Sequence, residues 1–141
     1  MSKSRYEGLQ NELCNFSPVC CFFLTLLSIA EDWKADNKIE PATVDFIDAL
    51  RSSRKNGWLG IDNMMYNDVK LLEYLTGAKV TKRVVTNPSG PIDVADDEYS
   101  AAKYRKGSNT HFRRRYFDVF NGSQTVAKGK LEAVYVYKIW R

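Results

Sequence analysis

Two adjacent cysteines and a single histidine are the residues of this chain whose types and positions could do chemistry. Cys20 and Cys21 stand at the head of a strongly apolar run, and His111 is the only histidine. A thiol in the first turn of a helix becomes more acidic because the helix dipole and unpaired N–H groups stabilise its anion. An imidazole that pairs with the thiolate, and a third group that orients the imidazole, complete a set for nucleophilic acyl transfer. Asp118 is the first acid after His111.

The same residues have an ordinary structural explanation. Buried cysteines pack as small hydrophobic side chains and are common in apolar helices. A single histidine beside a phenylalanine is usually a sheet residue with a satisfied ring. A cysteine on a central helix together with a histidine on a later strand favours catalysis more than either residue does alone. On the residues alone, both explanations stay open.

The first half of the chain predicts helices. Ser17 can cap a helix and Pro18 fits its first turn, where a missing N–H costs nothing. This helix runs toward Trp33 and is apolar nearly all round, which predicts a buried central helix. A second helix is predicted from Pro41 to about residue 54, and a third over residues 67–75 with Gly77 as its terminator.

The second half of the chain predicts strands. Residues 80–86, 110–120 and 131–140 are rich in β-branched and aromatic residues, and a short strand is predicted at 124–126 between turn signals. Residues 87–97, with their Pro, Gly, Ser and Asp, predict a long surface loop. Helices followed by an antiparallel sheet predict an α+β fold, with the first helix packed on the sheet, in one domain over residues 1–141.

The composition is that of an ordinary globular protein, with 44% hydrophobic and 27% charged residues. Three cysteines make a poor disulfide framework, so we expect three free thiols and a reducing, cytoplasmic compartment. One histidine without a Cys-x-x-Cys pair predicts no metal site, and we expect no cofactor. The apolar run imitates a signal peptide, but acids precede it, no cleavage site follows, and it is too short to span a membrane.

A basic run lies at residues 103–115. It holds six cations without an intervening acid: Lys103, Arg105, Lys106, Arg113, Arg114 and Arg115. A solvated face is the favoured interpretation, because no recognition motif accompanies the charge. Nucleic acid is therefore disfavoured as a partner, although the run does not exclude it.

The chain resembles a known superfamily at four places. The segment Val19-Cys-Cys-Phe-Phe-Leu-Thr-Leu-Leu27 is similar to the Gly-Cys-Tyr-Phe-Leu-Ser-Leu-Leu helix of small uncharacterised bacterial, plasmid and phage proteins. These resemble papain-like cysteine peptidases, close to those that remove bacteriocin leaders. Thr110-His-Phe112 resembles the group's His-Phe strand, and residues 117–129 resemble the Asp-Pro-x-x-x-Ser-x-Thr-Val-x-x-Gly turn that follows. Asn56-Gly-Trp-Leu-Gly60 also stands in the expected order.

The resemblance implies a papain-like fold and a cysteine hydrolase that cleaves a peptide or isopeptide bond by acyl transfer. It implies Cys21 as nucleophile, His111 as general base and Asp118 as the group that orients the imidazole. Gln10 or Asn15 would stabilise the oxyanion through a side-chain amide.

Two other cysteines compete as nucleophile, and the acid departs from the family pattern. Cys14 follows Gln10 by the spacing of a bacteriocin-peptidase start, but Pro18 separates it from the helix. Cys20 stands where the family has glycine. Val119 replaces the proline after the acid, and the spacing from histidine to acid is short. If residues 111–118 form one unbroken strand, Asp118 lies too far from His111 to orient it.

These departures keep an alternative open. It is a catalytically inactive papain-like interaction module, of phage or plasmid origin, that binds a host protein or nucleic acid. The aromatic residues that interleave with or border the basic run favour this slightly: Tyr99, Tyr104, Tyr116 and Phe117. The expected partners are therefore a peptide or protein substrate, or a host protein, and not a membrane.

Overall fold

The structure, a computed structural model, describes residues 21–62, 64–89, 92–107, 109–114 and 129–141, without the side chains of Cys21, Asn109, His111 and Arg113. In these ranges the helices are α1 (Cys21–Asp36), α2 (Phe46–Lys55) and α3 (Asp68–Thr76). The strands are β1 (Lys79–Thr86), β2 (Glu98–Lys106), β3 (Asn109–Arg113) and β4 (Lys130–Trp140). Helices precede an antiparallel sheet, so the predicted α+β class is confirmed.

The sheet has the strand order β1-β4-β2-β3, and each neighbouring pair is antiparallel. β4 is a central strand because it pairs with both β1 and β2. Both of its faces are buried: Val134 and Val136 lie on one, and Tyr137 and Ile139 lie on the other. A strand covered on both faces becomes a nearly continuous apolar run, which is what residues 133–139 show.

Helix α1 is the centre of the hydrophobic core. Leu26, Leu27, Ile29 and Ala30 are completely buried. The helix contacts α3 on one side and strands β2 and β3 on the other. The predicted buried helix, packed on the C-terminal antiparallel sheet, is thus confirmed for Cys21–Asp36. Its predicted start at Ser17 and Pro18 lies outside the described residues.

The second helix begins later than predicted, at Phe46 rather than Pro41. The Asp45 carboxylate accepts a hydrogen bond from the Asp48 N–H and caps the helix at that point. Just before the cap, the Val44 N–H donates to the Glu31 carboxylate on α1 at 2.8 Å. This hydrogen bond holds the residues before the helix in an extended conformation. The third helix agrees with its prediction, ending at Gly77 with a positive φ of 70°.

Strand β2 was not predicted, and the prediction for β3 was too long. Tyr99, Ser100, Ala101 and Ala102 are all buried, so β2 lacks the alternation that identifies a strand with one wet face. Alanine is also uncommon in strands. β3 ends at Arg113, whereas the strand was predicted to reach residue 120. The predicted strand at 124–126 lies outside the described residues.

Arg114 is buried, although it belongs to a run predicted to form a solvated face. Its side chain is 3% exposed and that of its partner Asp32 is 2% exposed. Nη1 of Arg114 donates to Asp32 and, at 2.7 Å, to Ser28, both on α1. The Ser100 hydroxyl on β2 donates to the Arg114 carbonyl. One residue therefore joins the end of β3, β2 and the middle of α1.

Two further cations of the basic run are also paired. Lys103 and Arg105 both contact Glu132 on β4, at 3.4 and 2.9 Å. With Arg114 turned into the core, the run is not one continuous solvated face. This reduces the attraction that the run can exert on nucleic acid.

Removing one partner of the buried ion pair should cost far more stability than removing an exposed one. We expect Asp32→Ala to lower the free energy of unfolding by about 3–5 kcal/mol, because a buried guanidinium loses its counter-charge. Lys70→Ala removes an exposed pair with Glu73 and should cost about 1 kcal/mol or less. Urea unfolding measures both values.

The paired replacement completes this test. Asp32→Leu combined with Arg114→Met removes both charges and should recover much of the stability that Asp32→Ala loses, because no unpaired charge stays buried. A cost for Asp32→Ala as small as that for Lys70→Ala would show that the ion pair does not hold α1 in place.

Candidate active site

Cys21 and His111 belong to elements that touch each other. Cys21 is the first described residue of α1, and His111 lies within β3, opposite Tyr104 on β2. Their neighbours Phe22 and Phe112 are stacked, with ring centroids 4.0 Å apart and planes inclined by 7°. The described beginning of α1 therefore lies directly against β3.

A third ring completes this contact. Tyr135 on β4 lies 5.6 Å from Phe22 and 5.7 Å from Phe112, measured between ring centroids, and is tilted against both. We call Phe22, Phe112 and Tyr135 the aromatic cluster. Tilted and offset stacked rings attract each other beyond the area they bury. The cluster thus fixes α1 against the two strands beside it.

A charged group borders the aromatic cluster. The Lys82 ammonium lies 4.2 Å from the centroid of the Tyr135 ring and 2.6 Å from the Asp68 carboxylate. The Tyr137 hydroxyl also donates to Asp68. Asp68 opens α3, where the helix dipole stabilises a negative charge. This group holds a cation at the edge of the cluster, against the Tyr135 ring.

The tyrosines of this region keep their protons more firmly than free tyrosine does. Burial, followed by the negative charge of Asp68, raises the pKa of Tyr137 well above its ordinary value. Burial also raises the pKa of Tyr135, with smaller contributions from Asp68 and Glu132. Both phenols therefore stay neutral to a higher pH than free tyrosine does.

The other predicted site residues cannot be placed against this geometry. Asp118, Gln10, Asn15, Cys14 and Cys20 all lie outside the described residues, so their roles stay predictions. The structure does test one assumption about Asp118. The objection to Asp118 assumed an unbroken strand over residues 111–118, but β3 ends at Arg113.

Sequence reasoning missed the charged group beside the cluster. Lys82 and Asp68 lie on different elements and share no motif, so nothing in the sequence associates them. The sequence did predict the strand over residues 131–140 that carries Tyr135 and Tyr137, and that was the available signal. In the part of the chain that the structure describes, no set of three His, Cys, Asp or Glu residues could hold a metal ion.

No protein family, no curated protein and no solved structure matches this chain. Among the described helices, none is both long enough and apolar enough to cross a bilayer.

The contact between Phe22 and Phe112 can be measured as a coupling energy. In a double-mutant cycle with Phe22→Leu and Phe112→Leu, we expect a coupling of about 0.5–1.5 kcal/mol, because stacked rings interact beyond their burial. Phe112→Leu combined with Trp58→Leu is the control, since Trp58 packs on Tyr74 instead. Additive free energies of unfolding in the first cycle would show that the rings do not stabilise each other.

The buried tyrosines should make stability depend on pH above about 10. The unfolded chain releases its phenolic protons near pH 10, whereas folded Tyr137 keeps its proton to higher pH. The contribution of Tyr137 to the free energy of unfolding is therefore complete below about pH 10 and decreases as the pH rises further. Tyr137→Phe should make the decline shallower, by up to about 1.4 kcal/mol per pH unit. Urea unfolding between about pH 9 and 11 measures the slope, and an unchanged slope would contradict this assignment.

Proposed function

We propose that this chain is a papain-like cysteine hydrolase in which Cys21 is the nucleophile and His111 the general base. The observation that carries the proposal is the stack of Phe22 on Phe112, at 4.0 Å between ring centroids. It joins the residue after the cysteine to the residue after the histidine. A buried cysteine-bearing helix packed on an antiparallel, histidine-bearing sheet also agrees with the papain-like fold that the resemblance implies.

The proposed reaction is acyl transfer from a peptide or isopeptide bond. The Cys21 thiolate attacks the carbonyl carbon, and the His111 imidazolium gives its proton to the departing amine. Water, deprotonated by His111, then attacks the thioester, which releases the acid and returns the thiol. Asp118 would orient His111, and Gln10 or Asn15 would donate to the oxyanion. Cys14 and Cys20 are the competing nucleophiles within the same proposal.

The same pair of residues defines the non-catalytic alternative. The proposed reaction requires the Cys21 sulfur and a His111 ring nitrogen to come within roughly 4 Å of each other. Without that approach, the chain would be a papain-like interaction module that binds a host protein.

Selective alkylation tests the proposed pair. A thiolate held by an imidazolium has a pKa well below the value of about 8.5 for a free thiol. We therefore expect iodoacetamide at neutral pH to label Cys21 faster than Cys14 or Cys20, with peptide mass spectrometry identifying the labelled residue. His111→Ala should abolish this selectivity while leaving the circular dichroism spectrum unchanged.

The controls separate the cysteines from one another. Cys14→Ala and Cys20→Ala should each leave the rate at Cys21 unchanged, because neither thiol takes part in the pair. Fast labelling at Cys14 or Cys20 would transfer the role of nucleophile to that residue. Slow labelling at Cys21 that His111→Ala does not alter would eliminate catalysis by this pair and leave the interaction module.

A further inference from the structure

A second candidate site lies at the other end of α1. The described helix has 16 residues, so its ends are separated by about 24 Å. Beside its C-terminal end is a cleft of about 420 Å³, between the helix, the turn before β2 and the end of β4. This volume falls within the range of small-molecule and side-chain sites. The cleft does not include the residues of the proposed active site.

The floor of the cleft is aromatic and its rim is charged. Trp33, Tyr99 and Ile139 form the floor, and each is at least nine-tenths buried. Around the rim stand carboxylates, cations and one exposed indole: Asp36, Asp96, Asp97, Lys138, Arg141 and Trp140. Such a combination suits a ligand group that is both flat and charged.

The cations of the rim are already engaged. Lys138 lies 3.3 Å from the Asp97 carboxylate, and Arg141 donates to the Asn37 carbonyl at 2.9 Å. Asp96, in contrast, makes no hydrogen bond or ion pair with any described residue. The carbonyl end of α1 adds partial negative charge at the same place. The electrostatics of the cleft therefore favour a positive ligand.

The cleft already contains one cation that lies between an aromatic ring and a carboxylate. The Lys138 ammonium lies 4.0 Å from the centroid of the Trp140 ring while it contacts Asp97. A cation over an indole face with a carboxylate beside it is a favourable arrangement. Asp96 and Asp36 provide carboxylates for a second cation. The Tyr99 hydroxyl, which donates to Asp36 at 2.7 Å, holds one of them in place.

Trp33 offers a hydrogen-bond donor to a ligand. Its side chain lines the cleft and is only 4% exposed, yet no described residue accepts a hydrogen bond from its indole N–H. This N–H is not among the buried donors that lack a partner, so it keeps contact with the solvent in the cleft. A carbonyl oxygen of a bound peptide would satisfy it.

We propose that this cleft binds an arginine side chain presented by a peptide segment. Arginine fits better than lysine because its planar guanidinium stacks on an indole and forms paired hydrogen bonds with a carboxylate. Asp96 and Asp36 receive the guanidinium, Trp140 covers it, and Trp33 donates to the main-chain carbonyl of the peptide. This binding does not depend on catalysis at Cys21.

A peptide with a neutral analogue of arginine tests whether binding depends on the charge. The full chain is titrated with acetyl-Gly-Arg-Gly-amide, and the indole N–H signals of its tryptophans are followed by NMR. Those of Trp33 and Trp140 should shift and saturate, while that of Trp58, outside the cleft, should not. The citrulline peptide, which has nearly the same shape without the charge, should bind about tenfold more weakly or worse.

Two charge-matched variants place the binding in the cleft. Asp96→Asn should weaken the arginine peptide about tenfold, since it removes the carboxylate without a described partner. Asp93→Asn, in the same loop but outside the cleft, should leave the affinity unchanged. Trp140→Leu, monitored by circular dichroism, is a second variant that should weaken binding without unfolding the chain.

Three results would overturn the proposal. They are the absence of a saturable shift at Trp33 and Trp140, equal affinity for the citrulline peptide, and equal affinity of the Asp96→Asn and Asp93→Asn variants. None of them bears on the alkylation of Cys21, so failure of the arginine site and failure of the proposed hydrolase are distinguishable.

Discussion

The buried ion pair between Arg114 and Asp32 is the interaction on which the arrangement of this molecule depends. Two charges taken out of water are stable only when they satisfy each other, so α1 and the end of β3 must meet in one relative position. Hydrophobic packing alone would tolerate small shifts of the helix along the sheet, because it is not directional. The ion pair and the hydrogen bond to the Ser28 hydroxyl are directional, so they fix the position that the apolar core leaves free.

That position has consequences for the candidate active site. With α1 held at Asp32, its described beginning lies against Phe112, and the aromatic cluster forms where the helix crosses β3 and β4. The same register that brings these rings together also sets the face on which each residue of β3 stands. The geometry thus places the helix that carries Cys21 in contact with the strand that carries His111.

Helix α1 also relates the two candidate sites. The proposed chemistry lies near its first described residue and the cleft near its last, and the helix between them is almost completely buried. Negative charge is favoured near the amino end of a helix and positive charge near the carboxyl end. A thiolate proposed at one end and a guanidinium proposed at the other both agree with this polarity.

The sequence by itself determined the α+β class, the buried central helix, the third helix with its glycine terminator, and the strand character of residues 80–86 and 131–140. These features depend on local signals, namely capping residues, turn residues and the period of apolar positions. It did not determine β2, because burial on both faces removes the alternation that a sequence pattern needs. Nor could it place Arg114 in the core or Lys82 beside Asp68. A charge enters the core only when a partner distant in the chain compensates its desolvation, and only the tertiary structure decides which partners meet.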